Sequence, residues 1–176
     1  GSSKPQDFGA APAYETTNLP KEQSINSIES AQTVITQPQE RESLLPNKST
    51  EEQYEFAVSF MKVGDYETAE FALKEFIDKN KDHDLAGNAQ YWYGETFRIR
   101  QLYSDAATAY LDGYQNYPKS KKAPDNLLKL GITMVQLGEK DQGCKMISGL
   151  KKEYPKASKS VLQKAQYEQK KFKCKS

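Results

Sequence analysis

The chain lacks most of what chemistry needs. It has one histidine and two cysteines, too few to supply a zinc ligand set. No nucleophile–base pair and no glycine-rich phosphate loop can be found, so no cofactor is expected and the chain does not read as an enzyme. No stretch approaches the roughly 20 apolar residues a membrane helix needs, which excludes membrane insertion by a helix. The sole histidine, His83, lies in the polar run "NKDHD" and reads as a loop residue. "NKS" at Asn47 matches a glycosylation acceptor, a pattern with a high false-positive rate.

Aromatic residues are also scarce, but only locally. Residues 1–50 hold Pro5, Pro12, Pro20, Pro38 and Pro46, with Phe8 and Tyr14 as their only aromatics. They account for much of the low mean hydropathy of −0.85. Such a stretch cannot bury enough apolar area to offset its ordering entropy, so residues 1–49 are expected to form a disordered tail or linker. The opening Gly1-Ser2 reads as a cloning remnant, and the natural start is expected to lie upstream.

Charge is uneven. The net is −2 over residues 1–50, −7 over 51–116 and +10 over 117–176. The basic segment has few aromatics, spreads its lysines over several helical faces and carries no RNA or DNA motif, so nucleic acid is not an expected partner.

What is present is a repeat of 37 residues. Ala57, Gly94 and Gly131 align, all small. So do Ala69, Ala106 and Gly143. Large residues align at Phe56, Tyr93 and Leu130, at Phe60, Phe97 and Met134, and at Leu73, Tyr110 and Ile147. Pro118 and Pro155 each follow a tyrosine. Phe76, Gly113 and Leu150 match poorly.

Each unit reads as two amphipathic helices. First helices are expected near 50–63, 85–100 and 124–137, and second helices near 66–80, 103–117 and 140–154. Gly64-Asp65, Gln101-Leu102 and Gly138-Glu139 are the turns between them. Ser49 with Glu52 forms a capping box, Asp84 is the expected cap of the second unit, and Pro124 suits a first helical position. A polar helix over 160–173 stands where a fourth first-helix would start, as a solubilising cap.

The pattern resembles the tetratricopeptide repeat, whose typical period is about 34 residues. That resemblance implies an all-α solenoid of three helix-turn-helix repeats, about 50–86, 87–123 and 124–160, within a domain spanning 50–174. It also implies that the paired small residues let the two helices of a unit cross closely.

"KSKKAPDNLLKLG" (119–131) and "GDYETAEFALKEFI" (64–77) narrow the resemblance. They are similar to the C-terminal domain of the YbgF/CpoB family of Tol-Pal-associated proteins. In "NKDHD" and Gln101-Leu102 the chain departs from the family pattern, and the first inter-repeat linker is expected to differ.

The family resemblance implies a periplasmic scaffold with no catalytic activity. It would bind TolA, with a peptidoglycan synthase as a further partner, and coordinate peptidoglycan synthesis with outer-membrane constriction at division. It further implies oligomerisation through a coiled coil that precedes these residues. A scaffold of another envelope machine, such as outer-membrane protein assembly, is the alternative.

In such solenoids the first helices line the concave face. The expected groove residues are Tyr54, Val58 and Met61 in unit one, and Tyr91, Trp92, Glu95 and Arg98 in unit two. Unit three adds Asp125, Leu128, Ile132 and Val135. Of the residues a carboxylate clamp would need, only Lys129 is suitable, so no clamp is expected.

In an oxidising compartment Cys144 and Cys174 are expected to pair, because the cap helix should run antiparallel to the last second-helix. A thiol count on unreduced, denatured protein should therefore find no free thiol. Two per chain would rule the pairing out.

Overall fold

The computed structural model describes residues 41–175, and the expected tail over 1–40 lies outside them. Seven helices follow one another with no strand among the described residues. They are α1 (Thr50–Lys62), α2 (Tyr66–Lys79), α3 (Ala86–Ile99), α4 (Tyr103–Asn116), α5 (Ala123–Gln136), α6 (Lys140–Glu153) and α7 (Lys159–Lys171). Each helix packs against the next. Along one face α1 also meets α3, α3 meets α5, and α5 meets α7. This is the all-α solenoid of three tetratricopeptide units and a C-terminal cap.

Local signals explain the boundaries. Ser49 and Glu52 form the reciprocal capping box at α1. Asp65 accepts from the Thr68 amide at α2, and Ser158 from the Val161 amide at α7. All three turns inside the units place one residue in the left-handed region: Gly64 at φ 79°, Gln101 at φ 62° and Gly138 at φ 90°. Gln101 adopts the glycine conformation without being glycine, so the turn chemistry of unit two is suboptimal although its geometry is kept.

Two expectations at the first inter-repeat linker are corrected. Asp84 does not cap α3. The N-cap is Leu85, and its amide donates to Nδ1 of His83 at 3.1 Å. Nor does this linker differ from the second. The His83 and Ser120 amides donate to the Asn80 and Tyr117 carbonyls, and Ala86 and Ala123 donate to the His83 and Ser120 carbonyls. Ser120 Oγ accepts from the Lys122 amide at 3.1 Å, so the imidazole of His83 does in one linker what a hydroxyl does in the next. His83 is a structural acceptor.

The small residues work in two ways. In unit three, a Cβ on Gly143 would sit 2.5 Å from the Gly131 carbonyl oxygen, so here the helix backbones themselves touch. In unit two the space over Gly94 is filled by the Tyr110 ring, 2.5 Å from where a Cβ would stand. Tyr110, not Ala106, is the partner of that glycine. Gly113, which breaks the repeat pattern, makes room for the fully buried Asn126 of the next unit, whose amide would lie 2.5 Å from an added Cβ.

Three apolar clusters run along the solenoid, one centred on Leu73 and Phe76, one on Tyr110, and one on Leu128, Ile147 and Leu150. The ordered domain begins before α1. Leu45 is buried in the first cluster, the Leu44 amide donates to Glu75 at 2.8 Å, and Arg41 stacks on Phe71 at 3.6 Å. These contacts bind residues 41–45, which the sequence places in the tail, to α2.

At the other end a disulfide joins Cys144 of α6 to Cys174, just past α7, with Cα atoms 5.4 Å apart. Closing a loop of 30 residues removes about 3–4 kcal/mol of unfolded-state freedom. That matters for α7, which buries only Ala165 and Glu168.

Two substitutions test this account by denaturant unfolding. Gln101→Gly is expected to raise stability by about 0.5–1 kcal/mol by relieving the left-handed residue. Gly94→Ala is expected to lower it by about 1–3 kcal/mol, the displacement of Tyr110 outweighing the better helix propensity. A neutral Gly94→Ala would refute the close approach.

Candidate functional site

The concave face is lined by α1, α3 and α5, and aromatic residues dominate its first half. Trp92 of α3 donates its indole N–H to the Tyr54 hydroxyl of α1 at 3.1 Å, bridging two repeats. The Tyr91 and Trp92 rings meet edge-to-face with centroids 5.1 Å apart. Tyr91 also leans on Tyr110 at 6.3 Å. Lys122, the residue before α5, sets its ammonium 4.6 Å from the Tyr91 centroid and 5.7 Å from that of Trp92. It also lies 3.8 Å from the Asp125 carboxylate.

The middle of this face is polar beneath the surface. Glu95 is buried and accepts from Arg98 Nε at 2.9 Å and Nη2 at 2.6 Å in a bidentate pair. The Tyr110 hydroxyl donates to the same carboxylate, and Lys129 of α5 stands 3.5 Å from it. Burial by itself pushes the Glu95 carboxyl up. The Arg98 hydrogen bonds, the Lys129 charge and the Tyr110 hydroxyl outweigh that and hold it below the ordinary glutamate value. Burial lowers the Lys129 ammonium, with Glu95 opposing the shift, and raises the Asp125 carboxyl against the pull of Lys122.

The residues expected in the groove thus divide. Tyr54, Met61, Trp92, Arg98, Asp125 and Val135 are partly exposed along it. Tyr91 is 8 % exposed, with the Lys122 ammonium over its ring. Val58, Leu128 and Ile132 are buried in the core clusters beneath, and Glu95 is the counter-ion of Arg98 and Lys129. Those four set the floor of the groove, since side chains so buried offer a partner little surface. Lys129, the one residue that suits a carboxylate clamp, is committed to Glu95.

Sequence periodicity missed Lys122. It lies in a linker, where helical periodicity says nothing, and the structure carries it over the rings of the preceding repeat.

Residues 125–157 match the family described as the tetratricopeptide repeat. The chain carries tetratricopeptide repeats. The matched segment covers most of the third unit, and the same helix pairs recur in the two before it. No curated protein matches the chain. Proteins built on this fold act in protein–protein interaction, and the groove just described is where the present one offers aromatic and charged side chains. No group of histidine, cysteine and acidic residues among those described could hold a metal ion.

The Glu95 cluster has a pH signature. A carboxyl held below its ordinary value stabilises the fold above about pH 4.5, and loses that contribution as pH falls toward its lowered folded-state value. Glu95→Gln is therefore expected to be less stable than the parent at pH 7, with the gap closing in acid. Glu95→Ala, which leaves Arg98 and Lys129 without their counter-ion, is expected to cost about 3 kcal/mol at neutral pH. A pH-independent gap for Glu95→Gln would show that the carboxylate is not the stabilising form.

Proposed function

We propose that the chain is a periplasmic scaffold of the Tol-Pal system. Its concave groove holds a segment of TolA, and through that contact it coordinates peptidoglycan synthesis with outer-membrane constriction during division. The observation that carries the binding role is the aromatic seam of Tyr54, Tyr91 and Trp92, held in place by the Trp92–Tyr54 hydrogen bond across two repeats. Tyrosine, tryptophan and arginine are the residues in which binding energy concentrates, because they are large, stiff and amphipathic. Here Arg98 continues the seam at the next turn of α3.

The choice of partner rests on the resemblance of residues 64–77 and 119–131 to the YbgF/CpoB family. The disulfide agrees with an oxidising compartment. A peptidoglycan synthase is a possible further partner under the same reading, and a coiled coil upstream would supply oligomerisation.

Calorimetry with a soluble periplasmic fragment of TolA tests the proposal. Saturable binding is expected, weakened at least tenfold by Trp92→Ala in a variant of unchanged helicity. Binding that Trp92→Ala leaves intact would remove the groove from the interaction, and no heat at all would remove TolA.

A further inference from the structure

The groove already holds one ligand, supplied by the chain itself. The Lys122 ammonium lies within cation–π range of both Tyr91 and Trp92, and 3.8 Å from the Asp125 carboxylate. Two aromatic rings meeting edge-to-face beside a carboxylate make a receptor for a positive charge.

The surroundings favour the same sign. Glu55, next to Tyr54 on α1, is exposed, and residues 51–116 carry a net charge of −7. The two other cations on this face, Arg98 and Lys129, already have a buried partner. Both are held against the buried Glu95 carboxylate, at 2.6 Å and 3.5 Å, Arg98 through a bidentate pair.

Lys122 is also a loose occupant. Its side chain keeps 31 % of its exposure, its contact with Asp125 is long, and it hangs from a linker. An incoming cation could take its place at little cost.

We infer that Tyr91, Trp92 and Asp125 form a subsite for a lysine or arginine side chain of the partner segment, and that Lys122 fills this subsite at rest. The inference rests on the groove reading and adds the partner's chemistry to it. The partner segment carries a cation that displaces Lys122, which then turns toward solvent.

Trp92 is the only tryptophan in the chain, so its fluorescence reports the subsite directly. The probes are octalysine and octaglutamate at low ionic strength. Octalysine is expected to change Trp92 emission saturably, and octaglutamate to leave it unchanged. Lys122→Gln is expected to tighten octalysine binding at least threefold, because it removes the resident competitor, and Asp125→Asn to weaken it.

Lys121→Gln is the control. It makes the same charge change one residue away, on a side chain that is exposed and not stacked. If Lys121→Gln tightens binding as much as Lys122→Gln, the effect is general electrostatics and the inference falls. It also falls if octalysine is silent while the TolA fragment still changes Trp92 emission, a result that leaves the groove reading standing. Silence from both octalysine and the TolA fragment would overturn the two together.

Discussion

The ring of Tyr110 lies in the space that Gly94 leaves open, and much of the molecule depends on that contact. It sets how closely α4 approaches α3 in the central unit. It also delivers the Tyr110 hydroxyl to Glu95, adding to the Arg98 hydrogen bonds and the Lys129 charge that keep this buried carboxylate ionised. Glu95 in turn fixes Arg98 and draws in Lys129 from the next repeat. A missing side chain on one helix thus becomes an electrostatic link between units two and three. The same tyrosine supports Tyr91 from behind, so the packing constraint and the aromatic seam are parts of one arrangement.

Stacked repeats convert order in sequence into position in space. The negative charge of residues 51–116 and the positive charge of 117–176 are therefore laid out along the solenoid, not mixed over one surface. The aromatic seam lies in the acidic part. Lys122 and Lys129 come from the basic part and reach back over the boundary, one to the rings and one to Glu95. The groove thus sits where the two fields meet, and each of its carboxylates, Glu95 and Asp125, has a lysine beside it.

Much of the fold was legible in the sequence, because a period of 37 residues repeats small, large and turn positions together. The helix ends followed from Ser49, Pro124 and the tyrosine–proline pairs, each of which acts locally. What was hidden acts at a distance. Nothing near His83 reveals that its imidazole would accept from Leu85 as Ser120 accepts from Lys122, since the two residue types share an acceptor and nothing else. Nor could Gly113 be read correctly without Asn126, which belongs to another repeat. The docking of residues 41–45 escaped notice because two leucines in a polar stretch look like linker until Glu75 and Phe71 are placed beside them.

The groove shows the same division more sharply. Helical periodicity assigns a side chain to a face, but it does not say how deep that face lies. Val58, Leu128 and Ile132 stand at the expected helical positions and are still buried, because they pack into the apolar clusters. The residues left partly exposed above that floor are Tyr54, Met61, Trp92, Arg98, Asp125 and Val135. If this face binds a partner as proposed, its aromatic surface there is narrow, centred on Tyr54 and Trp92, with Arg98 and Asp125 as the exposed charges. A partner bound there would gain more from a few rigid ring contacts and one well-placed charge than from broad apolar burial.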